Sequence, residues 1–248
     1  MISISDLEYK KGLFLDLHLP ESREFDLFVY FHGGGLTSGS RKGVEIFAKT
    51  LAKRNIATAS VDYSLYPNAK FPDFIKDCAL SIRWLKDNIA KYGICNRVFV
   101  GGSSAGGYIS MMLCFDDKYL NGVGLTPTDI AGYIHDAGQP TAHFNVLLEY
   151  GVDSRRIIVD KTAPLYFVGL AKKYSPILFI VSDNDLPCRY EQTMLMIKTL
   201  ERFGYKDSVF LEIVKGNHVE YVEKADENGD GILGNIILKH FDKMITIK

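Results

Sequence analysis

The fold of this chain is decided by one segment, which reads Val98-Phe99-Val100-Gly101-Gly102-Ser103-Ser104-Ala105-Gly106-Gly107-Tyr108. A β-branched run leads into a Gly-x-Ser-x-Gly turn and then into a helix-forming sequence. This pattern is typical of a nucleophile elbow, a sharp strand-to-helix turn that exposes one serine hydroxyl above the sheet. The frame centred on Ser104 has Gly102 and Gly106 at the required positions, whereas the frame centred on Ser103 has Ala105 in place of the second glycine. Ser104 is therefore the predicted nucleophile.

A second motif lies upstream of the elbow. The apolar run over residues 27–31 predicts a buried strand and leads directly into His32-Gly33-Gly34-Gly35. Acyl-transfer chemistry needs preorganised N–H groups where negative charge develops, and glycine lets the backbone approach that position closely. The elbow alone has an alternative, a glycine-rich turn with incidental serines. Two such motifs in this order favour a catalytic function over a simple turn. The predicted oxyanion-hole donors are the N–H groups of Gly33, Gly34 and Ala105.

Composition and charge set the broad class. The chain has 248 residues, 47% of them hydrophobic and 24% charged, with a net charge of −1. These values predict a single α/β domain over residues 1–248 and give no reason to expect nucleic acid or an anionic membrane as a partner. The first residues lack the pattern of a signal peptide, and no apolar run approaches the ~20 residues that a membrane-spanning helix needs. Four cysteines without paired spacing indicate reduced thiols, so we expect a cytoplasmic protein.

Strand-like and helix-like segments alternate along the chain. This order predicts an α/β fold with a mostly parallel eight-stranded sheet and helices on both faces. The predicted strands are 2–9 and 13–19, which form a hairpin, then 27–31, 56–61, the elbow strand, 130–134, 177–181 and 209–214. The predicted helices are 43–54, a long helix after Pro72, one through Leu113, 189–203 and 232–244.

The segment 138–174 breaks this alternation. It is rich in aromatic and aliphatic residues and is longer than most connections in a compact domain. Long inserts at the carboxyl edge of a parallel sheet tend to shape a substrate pocket, so a small lid is expected here. The alternative is an extra helix packed on the side of the domain.

A serine nucleophile needs a base, and the base needs an orienting acid. In this fold the partners follow the serine in the order acid, then histidine. Of the six histidines, only His218 lies in a loop that leaves the last predicted strand, so His218 is the predicted base. The acid should lie after the strand 177–181, where Asp183 and Asp185 both fit. Asp183 has a second interpretation as a turn-capping residue.

Beyond these motifs, the chain resembles the hormone-sensitive-lipase-like esterase branch of the α/β-hydrolase superfamily. The resemblance includes Val61-Asp62-Tyr63-Ser64-Leu65-Tyr66-Pro67, which is similar to the Asp-Tyr-Arg-Leu-Ala-Pro stretch of that branch. The acid of the branch lies in an Asp-x-Leu-like turn, which favours Asp185, since Leu186 follows it. Two departures are Ser64, where the branch has arginine, and the lack of a large cap before the first strand.

The resemblance implies a serine carboxylic-ester hydrolase acting on short acyl groups without a cofactor or metal. Its expected partner is a small acyl ester, and a homodimer is compatible with it. The expected pocket is built from the 138–174 segment and the loops around Leu36 and Tyr63, with His143 as a further substrate-binding residue. Two other functions stay open: an arylformamidase-like amide hydrolase, which resembles the chain in its HGGG motif and small size, and a non-catalytic ligand receptor on the same fold.

A weaker signal is Asp226-Glu227-Asn228-Gly229-Asp230-Gly231, which matches the first half of an EF-hand-type calcium loop. The position of the bidentate glutamate is occupied by Ile237. The preferred interpretation is therefore a polar turn that leads into the last helix.

Overall fold

The computed structural model describes residues 1–247, so Lys248, the last residue of the predicted domain, lies outside the described residues. Eight strands form one sheet in the order β1-β2-β4-β3-β5-β6-β7-β8. Their bounds are β1 Ile2–Lys10, β2 Leu13–Leu19, β3 Glu24–Phe31, β4 Ile56–Val61, β5 Ile94–Ser103, β6 Gly132–Asp136, β7 Ile177–Asn184 and β8 Val209–Asn217.

The sheet is mostly parallel, which confirms the predicted fold class. β1 pairs with β2, and β2 with β4, in antiparallel register. The other five pairs, from β3·β4 through β7·β8, are parallel. Strands β3 and β4 are almost entirely buried, as expected for parallel strands covered on both faces. The carboxyl ends of β3, β5, β7 and β8 therefore meet at one edge of the sheet, where ligands bind in open α/β sheets.

Helices cover both faces of this sheet, as predicted, and each face has its own apolar cluster. The helices α1 and α7 pack on one face, around Phe47, Leu233 and Phe241. The helices α2, α3 and α6 pack on the other, around Ile82, Met112 and Met196. The helix bounds are α1 Glu45–Ala52, α2 Asp73–Asn88, α3 Ala105–Phe115, α4 Lys118–Asn121, α5 Phe144–Glu149, α6 Arg189–Arg202 and α7 Ile232–Thr246.

Several predicted bounds differ from the structure by one to three residues, and two of the differences have a clear local cause. The strand predicted over 130–134 is β6, Gly132–Asp136, because a 3-10 turn over Pro127–Asp129 occupies the approach to the sheet and delays pairing. The first helix begins at Glu45 instead of residue 43, because Gly43 has a φ of +84°, outside the helical region. The first error matters for the site, since it placed His135 and Asp136 beyond the strand.

The segment 138–174 forms a fixed base and a more exposed outer part. Residues 137–143 are all buried, and the Tyr108 hydroxyl of α3 donates to the carbonyl oxygen of Thr162 over 2.6 Å. The outer part contains the short helix α5 and exposes large apolar side chains, namely Leu148, Tyr150, Ile157, Val159, Tyr166 and Leu170. The predicted role of this segment as a lid stays a prediction.

Among residues 1–247, no helix combines the length and the hydrophobicity that crossing a membrane requires.

Candidate active site

The elbow serine has a strained backbone. Ser104 lies between the end of β5 and the start of α3, with φ +56° and ψ −112°. A non-glycine residue with positive φ is uncommon and carries strain, which the surrounding structure must hold in place. Part of that support comes from β6, because the Ser104 N–H donates to the carbonyl oxygen of Asp136 over 2.8 Å.

The flanking glycines allow two chain segments to approach each other. A Cβ added at Gly106 would overlap the carbonyl oxygen of Phe31, and a Cβ at Gly102 would lie 2.7 Å from the carbonyl carbon of Gly106. Real Cβ atoms do not occur at such distances from backbone atoms. The Gly-x-Ser-x-Gly spacing is therefore required by close contact between the elbow and the end of β3.

Three side chains from three different strand ends form a continuous hydrogen-bonded chain. The Nε2 atom of His218 lies 2.8 Å from the Ser104 hydroxyl oxygen, and its Nδ1 atom lies 2.6 Å from Oδ1 of Asp185. The Asp185 side chain is fully buried, whereas 18% of the His218 side chain is exposed. The structure thus brings together the three residues that the sequence selected as nucleophile, base and acid.

The Asp185 carboxylate is held in its ionised form. Burial by itself raises its pKa, but the hydrogen bond and charge of His218, together with two backbone hydrogen bonds, outweigh burial. The backbone N–H groups of Leu186 and Ser182 also donate to this carboxylate, at 2.7 and 3.2 Å. The net result is a pKa below the usual value of an aspartate.

The other aspartate and histidine considered as acid and base make different contacts. Asp183 accepts the N–H of Gly216 over 2.9 Å, which is a contact between β7 and β8 and not the turn cap that the sequence suggested. His135 is buried in β6 beside the Ser110 hydroxyl, and burial lowers its pKa to about 3. Neither side chain hydrogen-bonds to Ser104 or His218.

The predicted oxyanion loop, residues 32–35, lies against Ser104. The Cβ that a side chain would add at Gly33 falls 3.4 Å from Cβ of Ser104, so the backbone of the loop is in contact with the elbow. Ala105 is the first residue of α3, and the first N–H groups of a helix have no partner within it. Gly34 has a φ of +105°, which turns the loop sharply. The N–H groups of Gly33, Gly34 and Ala105 as oxyanion donors stay a prediction.

The residues expected to bind substrate are all buried. Leu36 and Tyr63 are 2% exposed and His143 is 1% exposed. Tyr63 stacks on His32 with ring centroids 4.3 Å apart, and its hydroxyl donates to the carbonyl oxygen of His32 over 2.8 Å. His143 caps α5 by accepting the N–H of Asn145. In this structure these side chains support the loops around the nucleophile, and their contact with substrate stays a prediction.

A cleft of about 590 Å³ opens beside the glycine-rich loop after β3, and its lining among residues 1–247 does not include Ser104, Asp185 or His218. Its lining comes from the loop between β3 and α1 and from the segment after His218. The main lining residues are Gly33, Gly34, Lys42, Ser103, Glu220 and Glu223. Among the described residues, those that line this cleft do not include any from 138–174. No local signal in the sequence brings together the segments that follow β3 and β8.

The acidic turn at 226–231 is satisfied internally. Oδ1 of Asp226 accepts the N–H groups of Asn228 and Asp230, at 2.9 and 3.0 Å. The Asp230 carboxylate pairs with Lys53. Within residues 1–247, no cluster of three or more histidine, cysteine or acidic side chains is arranged to hold a metal ion. These contacts fit the polar turn that the sequence favoured.

Comparison with known proteins identifies a matching family model and several sequence relatives. The BD-FAE family model matches residues 15–122. The hormone-sensitive lipase of Ictidomys tridecemlineatus is 36% identical over 96 residues, covering 38% of this chain and 12% of that protein. Isoprenylcysteine alpha-carbonyl methylesterase ICME of Arabidopsis thaliana is 28% identical over 222 residues, covering 79% of this chain and 52% of that protein. The chain therefore spans about half or less of the length of these curated relatives.

The fold is shared with solved esterases. Esterase B from Lactobacillus rhamnosis superposes with a TM-score of 0.80 over 99% of this chain and 86% of its own, at 18% identity. The chain has the fold of solved esterases with the α/β-hydrolase architecture. In sequence it is similar to hormone-sensitive lipase and to a methylesterase.

Proposed function

We propose that this protein is a serine carboxylic-ester hydrolase that cleaves short-chain acyl esters through an acyl-enzyme. The observation that carries the proposal is the unbroken contact from Ser104 through His218 to Asp185, at 2.8 and 2.6 Å. These distances are within hydrogen-bond range for a nucleophile, its base and the acid that orients the base.

In the first half of the reaction, the hydroxyl oxygen of Ser104 attacks the ester carbonyl carbon while Nε2 of His218 takes the hydroxyl proton. The carbonyl π electrons move to the oxygen, which receives hydrogen bonds from the N–H groups of Gly33, Gly34 and Ala105. As the tetrahedral intermediate collapses, the bond to the alkoxy oxygen breaks. The imidazolium of His218 then protonates that oxygen, and the alcohol leaves.

Water reverses these roles in the second half of the reaction. Nε2 of His218 takes a proton from water while the water oxygen attacks the acyl carbon. The same proton then returns to the oxygen of Ser104. The acid leaves and free serine is restored. Asp185 does not exchange a proton in either half. It holds Nδ1–H of the imidazole, so that the Nε2 lone pair faces Ser104, and its charge stabilises the imidazolium.

The substrate preference follows from packing around the oxyanion loop. The side chains of Leu36, Tyr63 and His143 are buried, and we infer that they leave little room for a long acyl chain beside the nucleophile. Each additional buried CH₂ gains only about 0.8 kcal/mol, so a short pocket gains little from chain length and clashes once it is full. A small or moderately aromatic acyl group fits this arrangement better than a long lipid chain.

The test is hydrolysis of p-nitrophenyl esters from acetate to decanoate by the wild type and by Ser104→Ala. We expect kcat/KM to peak between acetate and butyrate, and the variant to lose on the order of a million-fold in kcat while staying folded. A peak at decanoate would contradict the short pocket. Rapid cleavage of N-formyl amides without ester hydrolysis would reassign the enzyme as an amide hydrolase. An intact fold that binds these compounds without cleaving them would indicate a receptor.

A further inference from the structure

A second buried carboxylate lies directly behind the nucleophile, and the mechanism above makes no use of it. Asp136 ends β6, is 1% exposed and stands opposite Ser103 in the parallel register of β5 and β6. Its carbonyl oxygen accepts the N–H of Ser104 over 2.8 Å. The backbone of Asp136 is therefore part of the support for the strained elbow.

The carboxylate of Asp136 hydrogen-bonds both to the residue before the nucleophile and to a residue close to the base in sequence. Oδ2 accepts the hydroxyl of Ser103, the residue before the nucleophile. Oδ1 accepts the hydroxyl of Tyr221, three residues after the base His218. One buried group thus connects the elbow that carries Ser104 to the loop that carries His218.

The charged groups around Asp136 belong largely to the triad. Burial raises the pKa of Asp136 to about 6, while the hydroxyls of Ser103 and Tyr221 and the charge of His218 oppose that rise and the charge of Asp185 adds to it. Two further groups face the network. The Tyr30 phenol of β3 interacts with Ser103, and the Arg189 guanidinium of α6 donates to the carbonyl oxygen of Ala137.

The direction of this pKa shift makes the ionised carboxylate unfavourable for folding. Between its usual value of 3.8 and about 6, the folded protein retains a proton that the unfolded chain has lost. Stability therefore falls as the pH rises through this window, and the ionised carboxylate opposes folding above it. A carboxylate retained only for stability would not oppose folding when it ionises. Residues at functional sites often do oppose folding in this way.

We propose that Asp136 is a positioning residue, which holds Ser104 and His218 in reactive geometry through its hydrogen bonds to Ser103 and Tyr221. The inference rests on the proposed ester hydrolysis. The ionised carboxylate accepts both hydroxyls at once, and this fixes the elbow relative to the base-bearing loop. Protonation of Asp136 places an O–H in this network, which competes with the two donors and loosens the connection.

The test is Asp136→Asn, which preserves the shape of the side chain and removes its ionisation. We expect kcat for p-nitrophenyl acetate to fall, by up to about a hundredfold, with KM changed by less than about threefold, because misplaced groups lower turnover more than binding. Thermal unfolding at pH 8 should occur at the wild-type temperature or higher. The matched control is Asp116→Asn, which removes a buried carboxylate at the far end of α3.

A pH profile separates positioning from simple structural support. In the wild type, Asp136 takes up a proton as the pH falls below about 6, so the slope of log kcat/KM against pH should steepen there by up to one. In Asp136→Asn this group no longer ionises, and the additional steepening should be absent. Tyr221→Phe and Ser103→Ala each remove one hydrogen bond, and each should lower kcat without changing KM.

Several results would overturn the proposal while leaving ester hydrolysis intact. These are a kcat within twofold of the wild type in Asp136→Asn, an equal loss in Asp116→Asn, or an acid limb with the same slope in both proteins. If Asp136→Asn does not fold, an unchanged kcat in both Tyr221→Phe and Ser103→Ala would overturn the proposal. Absence of Ser104-dependent hydrolysis in the wild type would instead contradict the proposed function itself.

Discussion

At the scale of single residues, the chemistry depends on which of two neighbouring aspartates faces the base. Asp185 contacts Nδ1 of His218, whereas Asp183 accepts a backbone N–H from Gly216. Both positions fitted the residue pattern, and only the Asp-Leu dipeptide favoured the first. The structure distinguishes the two aspartates, because contact with His218 depends on where β7 and β8 end relative to each other.

Asp185→Asn should lower kcat by about four orders of magnitude, since an amide stabilises the wrong tautomer of the histidine. Asp183→Asn serves as the matched control and should change kcat by less than about twofold, because the amide oxygen can still accept the N–H of Gly216. Steady-state kinetics on p-nitrophenyl acetate compares the two. Equal, small effects would remove Asp185 from the triad.

Residue patterns predicted the positions that now form the triad contacts, because the motif and the chain order are both local signals. They missed Asp136, Ser103 and Tyr221 as a network. The strand β6 was expected to end at residue 134, and the contact between β6 and the segment after β8 spans 85 residues of sequence. Periodicity contains no information about a pairing at that separation.

At the scale of elements, the elbow functions because β3 and α3 approach each other closely at Gly106. Replacing Gly106 by alanine places a Cβ onto the carbonyl oxygen of Phe31. We expect a loss of about 3 kcal/mol or more in the free energy of unfolding, since backbone atoms at this contact cannot move independently. Gly122→Ala is the control, because its added Cβ would lie 3.2 Å from the carbonyl oxygen of Lys118 in ordinary helical backbone. Thermal unfolding that is equal in the two variants would contradict the packing argument.

The oxyanion loop is also held by α5, through the Asn145 side-chain amide that donates to the carbonyl oxygen of Gly35. Asn145→Ala removes this bond, and we expect kcat to fall about tenfold, the kinetic equivalent of one hydrogen bond, with little change in thermal stability. Asn121→Ala, at an exposed position of α4, is the control for the loss of an amide. If kcat is unchanged in Asn145→Ala, the segment 138–174 does not support the oxyanion loop.

Most elements were predictable because their signals are strong. The buried runs of β3 and β4 and the helical spacing of α2 leave little ambiguity. The failures occurred where tertiary contacts override local pattern, as at the start of β6. The segment 138–174 shows the same limit, since its composition did not reveal that its base would be buried against α3 while the cleft forms elsewhere.

At the scale of the whole molecule, two buried histidines should make the fold sensitive to acid. Burial lowers the pKa of both His135 and His143 to about 3. Between that value and the usual value of 6.5, the unfolded chain binds protons that the folded protein does not, so stability falls as the pH falls through this window. Each histidine contributes a loss of about 3 kcal/mol by pH 4.5, from 1.36 kcal/mol per pH unit.

His135→Gln removes one of these two groups and should reduce the difference in unfolding temperature between pH 7 and pH 4.5. Asp136 has the opposite pH dependence, but it is present in both proteins and cancels in the comparison. The measurement is thermal unfolding of the wild type and of the variant at both pH values. The same pH dependence in the two proteins would show that His135 does not bind a proton on unfolding.

Covalent labelling tests whether Ser104 is the nucleophile of a serine ester hydrolase. The wild type is treated with a fluorophosphonate, its intact mass is measured, and the modified peptide is fragmented to distinguish Ser103 from Ser104. We expect a single adduct on the oxygen of Ser104, retained in Ser103→Ala and lost in Ser104→Ala. An adduct on any other residue, or labelling of Ser104→Ala at the wild-type rate, would contradict it.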